Sequence, residues 1–343
     1  MPSPSARGST FHGMRVLERL EQLAAIGDRI GYSPEEDAAH ELAAGWFREA
    51  GLEVEVDAAR NLIGQIPGGR RQVWTGSHLD TVPGAGRFDG TLGVVAGLEA
   101  VEALGLPGLG VVVFRDEERG CAGSHGSSAV PDAYVELHIE QGPTLLRADV
   151  PLGVVTAIVG YVRGRRTFTG TAGHAGTTPM DVREDALVQG AEFVLHARDV
   201  ARGIEGAVAT IGQVLVEPGG TNVIPGRVVV SVDARAPDAE RLDRLAAALE
   251  VEEPIRTEPS PMAEEIRGAL RAEIESLGLP VVELPSGAGH DAGILASAGV
   301  PSGMLFVRSL NGGISHNPDE LSSAEDIALA VDALTGALRR LVT

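Results

Sequence analysis

Three short β-prone runs limit the folds open to this chain: Val73 to Ser77, Val111 to Phe114 and Val135 to Glu140. A helical stretch, Thr91 to Leu104, separates the first two, and each of those runs leads into ionisable residues. Strands that are apolar along their length need cover on both faces. Alternating with helices, they predict an α/β fold with a largely parallel sheet. Such sheets gather ligands beyond their strand ends. The third run alternates, with Val135, Leu137 and Ile139 on one face and Glu136, His138 and Glu140 on the other. That polar face needs a purpose.

Two amphipathic helices precede the sheet. The first, Arg15 to Gly27, turns Leu17, Leu20, Leu23 and Ala24 inward. The second opens at the capping box Ser33-Pro34-Glu35-Glu36, with Ala38, Leu42, Trp46 and Ala50 inward. From about Val154 the pattern changes to longer β-branched strands, Val154 to Thr171, Ala207 to Val216 and Arg227 to Arg235. Helices interleave from Thr178-Pro179 and from Pro237-Asp238. A Pro-rich stretch, Glu253-Pro254 to Pro259-Ser260-Pro261, precedes a helix carrying Ile266, Leu270, Ile274 and Leu277, after which the α/β style returns. A chain of 343 residues is long for one domain and comfortable for two. The simplest division is an α/β domain from residues 1–153 and 259–343 with an α+β domain, 154–258, inserted.

A formal charge of −20 repels a phosphate backbone, so no nucleic-acid partner is expected. No apolar run reaches membrane-spanning length, and no membrane partner is expected either. The segment MPSPSARGSTFHGM lacks a signal-type apolar core, and Cys121 is the single cysteine. Both fit a reduced, cytoplasmic setting.

Four segments carry candidate chemistry. GSHLDTVPGAGRFDG supplies His78, Asp80 and Asp89; VVVFRDEERG ends a strand in Asp116, Glu117 and Glu118; the third run supplies His138, followed by Gln141; GGISHNPDE supplies His316. Any one of these residues alone is more often a cap or a solvated surface group. Their shared location at strand ends and in Gly-flanked loops favours a metal site, because packed carboxylates repel one another unless a cation neutralises them. Oxygen and imidazole donors without thiolates suit Zn, Mn, Co or Ni.

The segments GSHLDTVPGAGRFDGTLGV, FRDEERG, ELHIEQGP, TGTAGHAGTTPMDVREDAL, GGTNVIPG, VDARAPD, LPSGAGHDA and GMLFVRSLNGGISHNPDE resemble, in that order, the motifs of the M20 metallopeptidase clan. The resemblance runs from about Leu17 to Leu341. It is nearest to the amidase branch, the N-carbamoyl-L-amino-acid hydrolases and allantoate amidohydrolases, to which ELHIEQGP and GGISHNPDE are specific. It implies two divalent metal ions per chain bridged by Asp89, with His78 and His138 completing one ligand set and Glu118 and His316 the other. Asp80 would hold the tautomer of His78 from behind. Glu117 falls at the general base, and two ions there would activate a water and polarise the scissile carbonyl. The inserted domain corresponds to a ferredoxin-like lid that also forms a homodimer, with His174 reaching a neighbouring site to donate to the oxyanion. Asn222 and Arg235 match substrate-holding positions, and Gln141, Gly289 and His290 are further contacts. The alternatives are a strand-end salt bridge for Arg235 and a structural role for His290. Cys121 and His125 match no ligand and read as structural.

This sequence also departs from the clan pattern. Arg119 interrupts the usual glycine after the Glu pair, and His138 follows Glu118 by only 20 positions. The activity implied is hydrolysis of a ureido or amide C–N bond beside a carboxylate in a small-molecule substrate, an N-carbamoyl-L-amino acid first. Allantoate or a related ureide is the alternative, then an acylated amino acid or peptide. A non-catalytic metabolite-binding homologue is disfavoured by the retention of Glu117 and all five ligands.

Overall fold

The computed structural model describes residues 4–343, those of 4–13 by backbone alone. Residues 1–3, where the segment read as lacking a signal core begins, lie outside the described residues. The chain divides into two compact units, 1–156 with 261–343, and 157–260.

The first unit is built on a nine-stranded mixed sheet. Its centre is parallel, in the order Leu109–Phe114, Val73–His78, Ala133–Ile139 and Ser302–Val307, each buried along its whole length. Antiparallel strands flank this centre. Leu62–Gln65 and Glu53–Val56 extend one side, and Leu152–Ile158 pairs with the other. Parallel pairing links the four central strands, which are buried on both faces. The Pro4–Ala24, Thr91–Leu104, Glu264–Ser276 and Ala324–Val342 helices contribute to one continuous apolar core with the strands.

Thr91–Leu104 occupies the span read from sequence, and its glycines explain how close it lies. A Cβ at Gly93 would fall 2.2 Å from the Leu137 carbonyl oxygen, and one at Gly97 would fall 2.9 Å from the Thr75 methyl. Both early helices turn a slightly different face inward than the periodicity suggests. Val16, Leu20 and Leu23 are buried while Ala24 is exposed; in Pro34–Glu49, Glu36, Ala39, His40, Ala43, Ala44, Trp46 and Phe47 are buried while Ala38 is exposed. Buried Glu36 and His40 shift that face, because a polar partner awaits the glutamate.

The second unit is antiparallel throughout its five-stranded sheet. The path Val214–Glu217, Arg227–Ala236, Gly160–Thr169, Glu252–Thr257, with Ala186–Arg202 and Ala239–Leu249 as helices, is the βαββαβ plan of a ferredoxin-like fold. Alternate residues of Arg227–Ala236, from Val228 to Ala236, are buried under those helices.

Three sequence expectations change here. The run from Val154 to Thr171 is two strands, Leu152–Ile158 in the large sheet and Gly160–Thr169 in the small one, so the units meet at 156/157 and 260/261. The helix expected at Thr178-Pro179 begins only after Asp185, whose carboxylate accepts from the Leu187 and Val188 amides; residues Met180–Val182 form one 3-10 turn instead. Part of the Pro-rich stretch is an edge strand, with Pro254 inside its register shift between Glu252 and Ile255.

Candidate metal centre

The C-terminal ends of the parallel strands bring the first unit's ionisable residues together. His78 ends one strand, Glu117 and Glu118 follow the next, His138 lies in the third, and Asp89 sits just before the Thr91–Leu104 helix. Gly90 makes room there, because a Cβ on it would stand 2.4 Å from the His78 ring.

Asp89 is the hub. Its Oδ1 lies 3.2 Å from His138 Nε2 and 3.8 Å from His78 Nε2, while its Oδ2 lies 3.1 Å from His316 Nε2, which is itself 3.4 Å from Glu118 Oε2. Two three-residue groups of the right size for a cation therefore share one carboxylate: His78, Asp89 and His138, and Asp89, Glu118 and His316. Glu136, His138 and His290 form a third group of that size, but both nitrogens of His138 are already engaged, Nδ1 by the Ile139 carbonyl at 2.9 Å and Nε2 by Asp89.

The surroundings orient the histidines. Nδ1 of His78 faces the Asp80 carboxylate at 3.2 Å and the Asp80 carbonyl at 3.1 Å, both acceptors, so Nδ1 carries the proton and Nε2 is left with its lone pair. The same logic orients His138 through Ile139. Asp80 also anchors the neighbouring turn, since its two oxygens accept from the Glu117 and Glu118 amides, each at 3.1 Å.

Charge is held there under tension. Burial opposes ionisation of Asp89, yet hydrogen bonds from His138 and His316 outweigh it and hold its carboxyl well below the usual range. Burial drives the Glu117 carboxyl well up, opposed by His78 and reinforced by Asp291, Glu118 and Asp89. The hydrogen bond to Asp89 lifts His316 to about 8. Glu118 Oε1 is buried without a hydrogen-bond partner. Crowded carboxylates, an unpartnered buried oxygen and oriented imidazoles are what a divalent cation relieves, so the donor set fits the implied metals.

Residues 74–340 match the family described as Peptidase family M20/M25/M40. An N-carbamoyl-L-amino acid amidohydrolase of Geobacillus stearothermophilus is 36% identical, covering 94% of this chain and 97% of its own. A probable allantoate deiminase of Oryza sativa subsp. japonica is 30% identical, covering 92% and 86%. Among solved structures, an amidase of the hydantoinase/carbamoylase family from Burkholderia multivorans superposes with a TM-score of 0.86 at 31% identity, covering 96% and 98%. The chain belongs to the M20 family. It is an amidohydrolase of that family. The Geobacillus alignment spans 399 positions against this M20 chain's 343 residues, so its relative carries segments absent here. In the short interval after Glu118 this chain has one brief helix, Ala122–Gly126.

The remaining site residues fall into two groups. In the first unit, the Gln141 side-chain amide donates to Asp89 Oδ2 at 2.9 Å and so touches the hub carboxylate. His290 is buried edge-on to His138 with ring centroids 4.4 Å apart, and its Nε2 lies 2.9 Å from Ser286 Oγ. Beside it Gly289 is open, with nothing within 4 Å of a Cβ there. Cys121 is buried with Sγ 3.7 Å from Glu117 Oε1, and His125 is exposed.

In the second unit, His174 and Asn222 are neighbours. Gly173–His174 pairs with Val223–Ile224, and the Ala175 amide donates to the Asn222 carbonyl. His174 is exposed, its Nδ1 accepting from the Gly176 amide. Arg235 makes a two-pronged pair with Asp233, at 2.8 and 3.2 Å, which also takes Arg163 at 2.7 Å. Arg235 thus forms the salt bridge that the alternative described, on a carboxylate it shares with Arg163.

Sequence reasoning missed Ser315 and Glu320. Glu320 accepts from the Phe88 and Asp89 amides at 2.9 and 3.1 Å, and Ser315 links Glu320 to Asp89 Oδ2. Both lie within GGISHNPDE, and that was the available signal.

Proposed function

We propose that this M20 amidohydrolase cleaves N-carbamoyl-L-amino acids to the free amino acid, ammonia and carbon dioxide, using two divalent ions. The observation that carries the reading is Asp89, whose two oxygens each face a separate ligand set while Glu117 stands beside His78 without belonging to either. Asp89, His78 and His138 would hold one ion, and Asp89, Glu118 and His316 the other. When bound, a Zn, Mn, Co or Ni pair supplies Lewis acidity at the scissile carbonyl and lowers the pKa of the attacking water.

The chain's own residues do the rest. Glu117 takes the proton of the attacking water and hands it to the departing nitrogen, while Asp80 keeps His78 in its ligating tautomer. Gln141 and Ser315 hold the shared carboxylate of Asp89. We assign the substrate carboxylate to Arg235, whose planar fork can exchange Asp233 for it, and further polar contacts to Asn222 and His290. His174 is assigned to the oxyanion in a homodimer formed through residues 157–260. No described helix is long and apolar enough to cross a membrane. A cytoplasmic setting is proposed from the single, unpaired Cys121.

The allantoate deiminase relative supports a second reading, a purine ureide as substrate. Ammonia release by apo-protein reloaded with each metal separates the two. Metal-dependent release from N-carbamoyl-L-amino acids is expected; release confined to allantoate or ureidoglycolate would select the second reading, and release only from N-acetyl amino acids would contradict both. Dimers of His174→Ala mixed with Glu117→Gln dimers should regain activity after subunit exchange, and no recovery after confirmed exchange would contradict a shared site.

A further inference from the structure

The turn carrying Glu117 is held in an unusual way. The parallel ladder ends at Phe114, opposite His78, so the next four amides leave the sheet. Each finds a buried side-chain oxygen at 3.1 Å: Arg115 on Asn61 Oδ1, Asp116 on Glu36 Oε1, and Glu117 and Glu118 on the two oxygens of Asp80. Three side chains thus grip four consecutive peptides.

Glu36 is the part of this grip that comes from farthest off. It belongs to the Pro34–Glu49 helix and is buried. Only one of its oxygens reaches back along the chain, to the Tyr32 amide, and that same oxygen takes Arg115 Nη1 at 2.9 Å. The other oxygen is committed to Asp116. A capping box alone has no use for that second bond.

Asp116 needs holding, because its φ of 53° lies in the left-handed region that a residue with a Cβ avoids. Its carboxylate takes Arg119 Nε at 2.6 Å, and Arg119 Nη2 donates to the Gly31 carbonyl at 2.7 Å. Gly31 lacks a side chain where one would collide with Asp116 Oδ1, 1.8 Å from an added Cβ. Residues 31 to 36 therefore form a socket for Asp116, and Arg119, the departure from the family pattern, latches it.

We infer that Glu36 is a positioning residue that aims the Glu117 carboxylate through the Asp116 peptide, with Arg119 as its latch. The inference rests on Glu117 being the general base. Asp80 still holds the Glu118 amide when the Asp116 peptide loosens, so the ions stay while the base loses its aim, and the loss falls on kcat and not on KM.

The test uses the full-length, metal-loaded protein. Glu36→Gln should lower kcat about tenfold and Glu36→Ala about a hundredfold, with KM and metal content unchanged. Arg119→Ala, at an exposed position, should lower kcat by a smaller factor with Tm unchanged, and it keeps the inference testable if Glu36→Ala fails to fold. Ile274→Val, in the same core, controls for destabilisation and should keep the wild-type kcat. Amide exchange supplies a readout independent of turnover: residues 115–118 should exchange faster in Glu36→Gln while the central strands keep their protection. Unchanged kcat in all three variants, a loss that merely tracks Tm as in the control, or loss of metal would overturn the inference. A wild-type protein inactive on every ureide would instead overturn the proposed function, while exchange at 115–118 would still report whether Glu36 holds the turn.

Discussion

Asp80 and Asp233 are both carboxylates next to candidate site residues, held in opposite ways. Asp80 is buried and bound by two backbone amides and an imidazole, whereas Asp233 is partly exposed and bound by two guanidinium groups. Backbone donors are fixed by the fold, so the first arrangement sets positions. Arginine side chains can swing and exchange partners, so the second can release Arg235 to another carboxylate at modest cost. Amides and histidines hold the charge at the candidate metal centre, while paired surface charges occur in both units, such as Arg71 with Glu265 in the first and Arg256 with Glu258 in the second.

Substitutions can break this comparison. The largest effect is expected for Glu117→Gln, with kcat down about a thousandfold and metal content unchanged; near-wild-type turnover would remove Glu117 from its role. Next, Arg235→Lys keeps the charge but loses the planar fork, and KM should rise about tenfold to a hundredfold while kcat moves less. A matched pair of glycine substitutions compares the packing of the units. Gly93→Ala should cost about 1–3 kcal/mol in denaturant melts because its Cβ meets the Leu137 carbonyl, whereas Gly212→Ala, whose nearest neighbour is Ser231 Oγ at 3.8 Å, should stay within about 0.5 kcal/mol.

A pH-dependent effect concerns buried His40. Burial, with Arg115 and Arg60, pushes its pKa well below the ordinary 6.5, although Glu36 is 3.8 Å away. Below pH 6.5 the unfolded chain takes up a proton that the folded one refuses, so His40 costs stability as pH falls, by at most about 1.4 kcal/mol per pH unit. His40→Met should flatten that part of the stability profile between pH 6.5 and 5; an unchanged slope would show that His40 is charged in the fold.

Much of the candidate site was legible because its residues lie in local patterns. His78, Asp89, Glu118, His138 and His316 each stand at a strand end or a Gly-flanked loop, and they converge on one carboxylate. The Thr91–Leu104 helix and the Asp238 cap were legible for the same local reason. Long-range features were not. The apolar run continues through Val159, so the exchange of sheets between Ile158 and Gly160 leaves no mark in composition. Thr178-Pro179 resembles a helix start, but Asp185 provides the side-chain acceptor that caps the real one. Glu36 matched a capping box, and its bond to Asp116, 80 residues on, is visible only in three dimensions.

Metal content by elemental analysis, on reconstituted wild type, His316→Ala and Glu117→Gln side by side, tests the central claim most directly. If Asp89 bridges two ligand sets and Glu117 belongs to neither, the three proteins should hold about two, one and two ions per chain. One ion in the wild type, or a missing ion in Glu117→Gln, would contradict it.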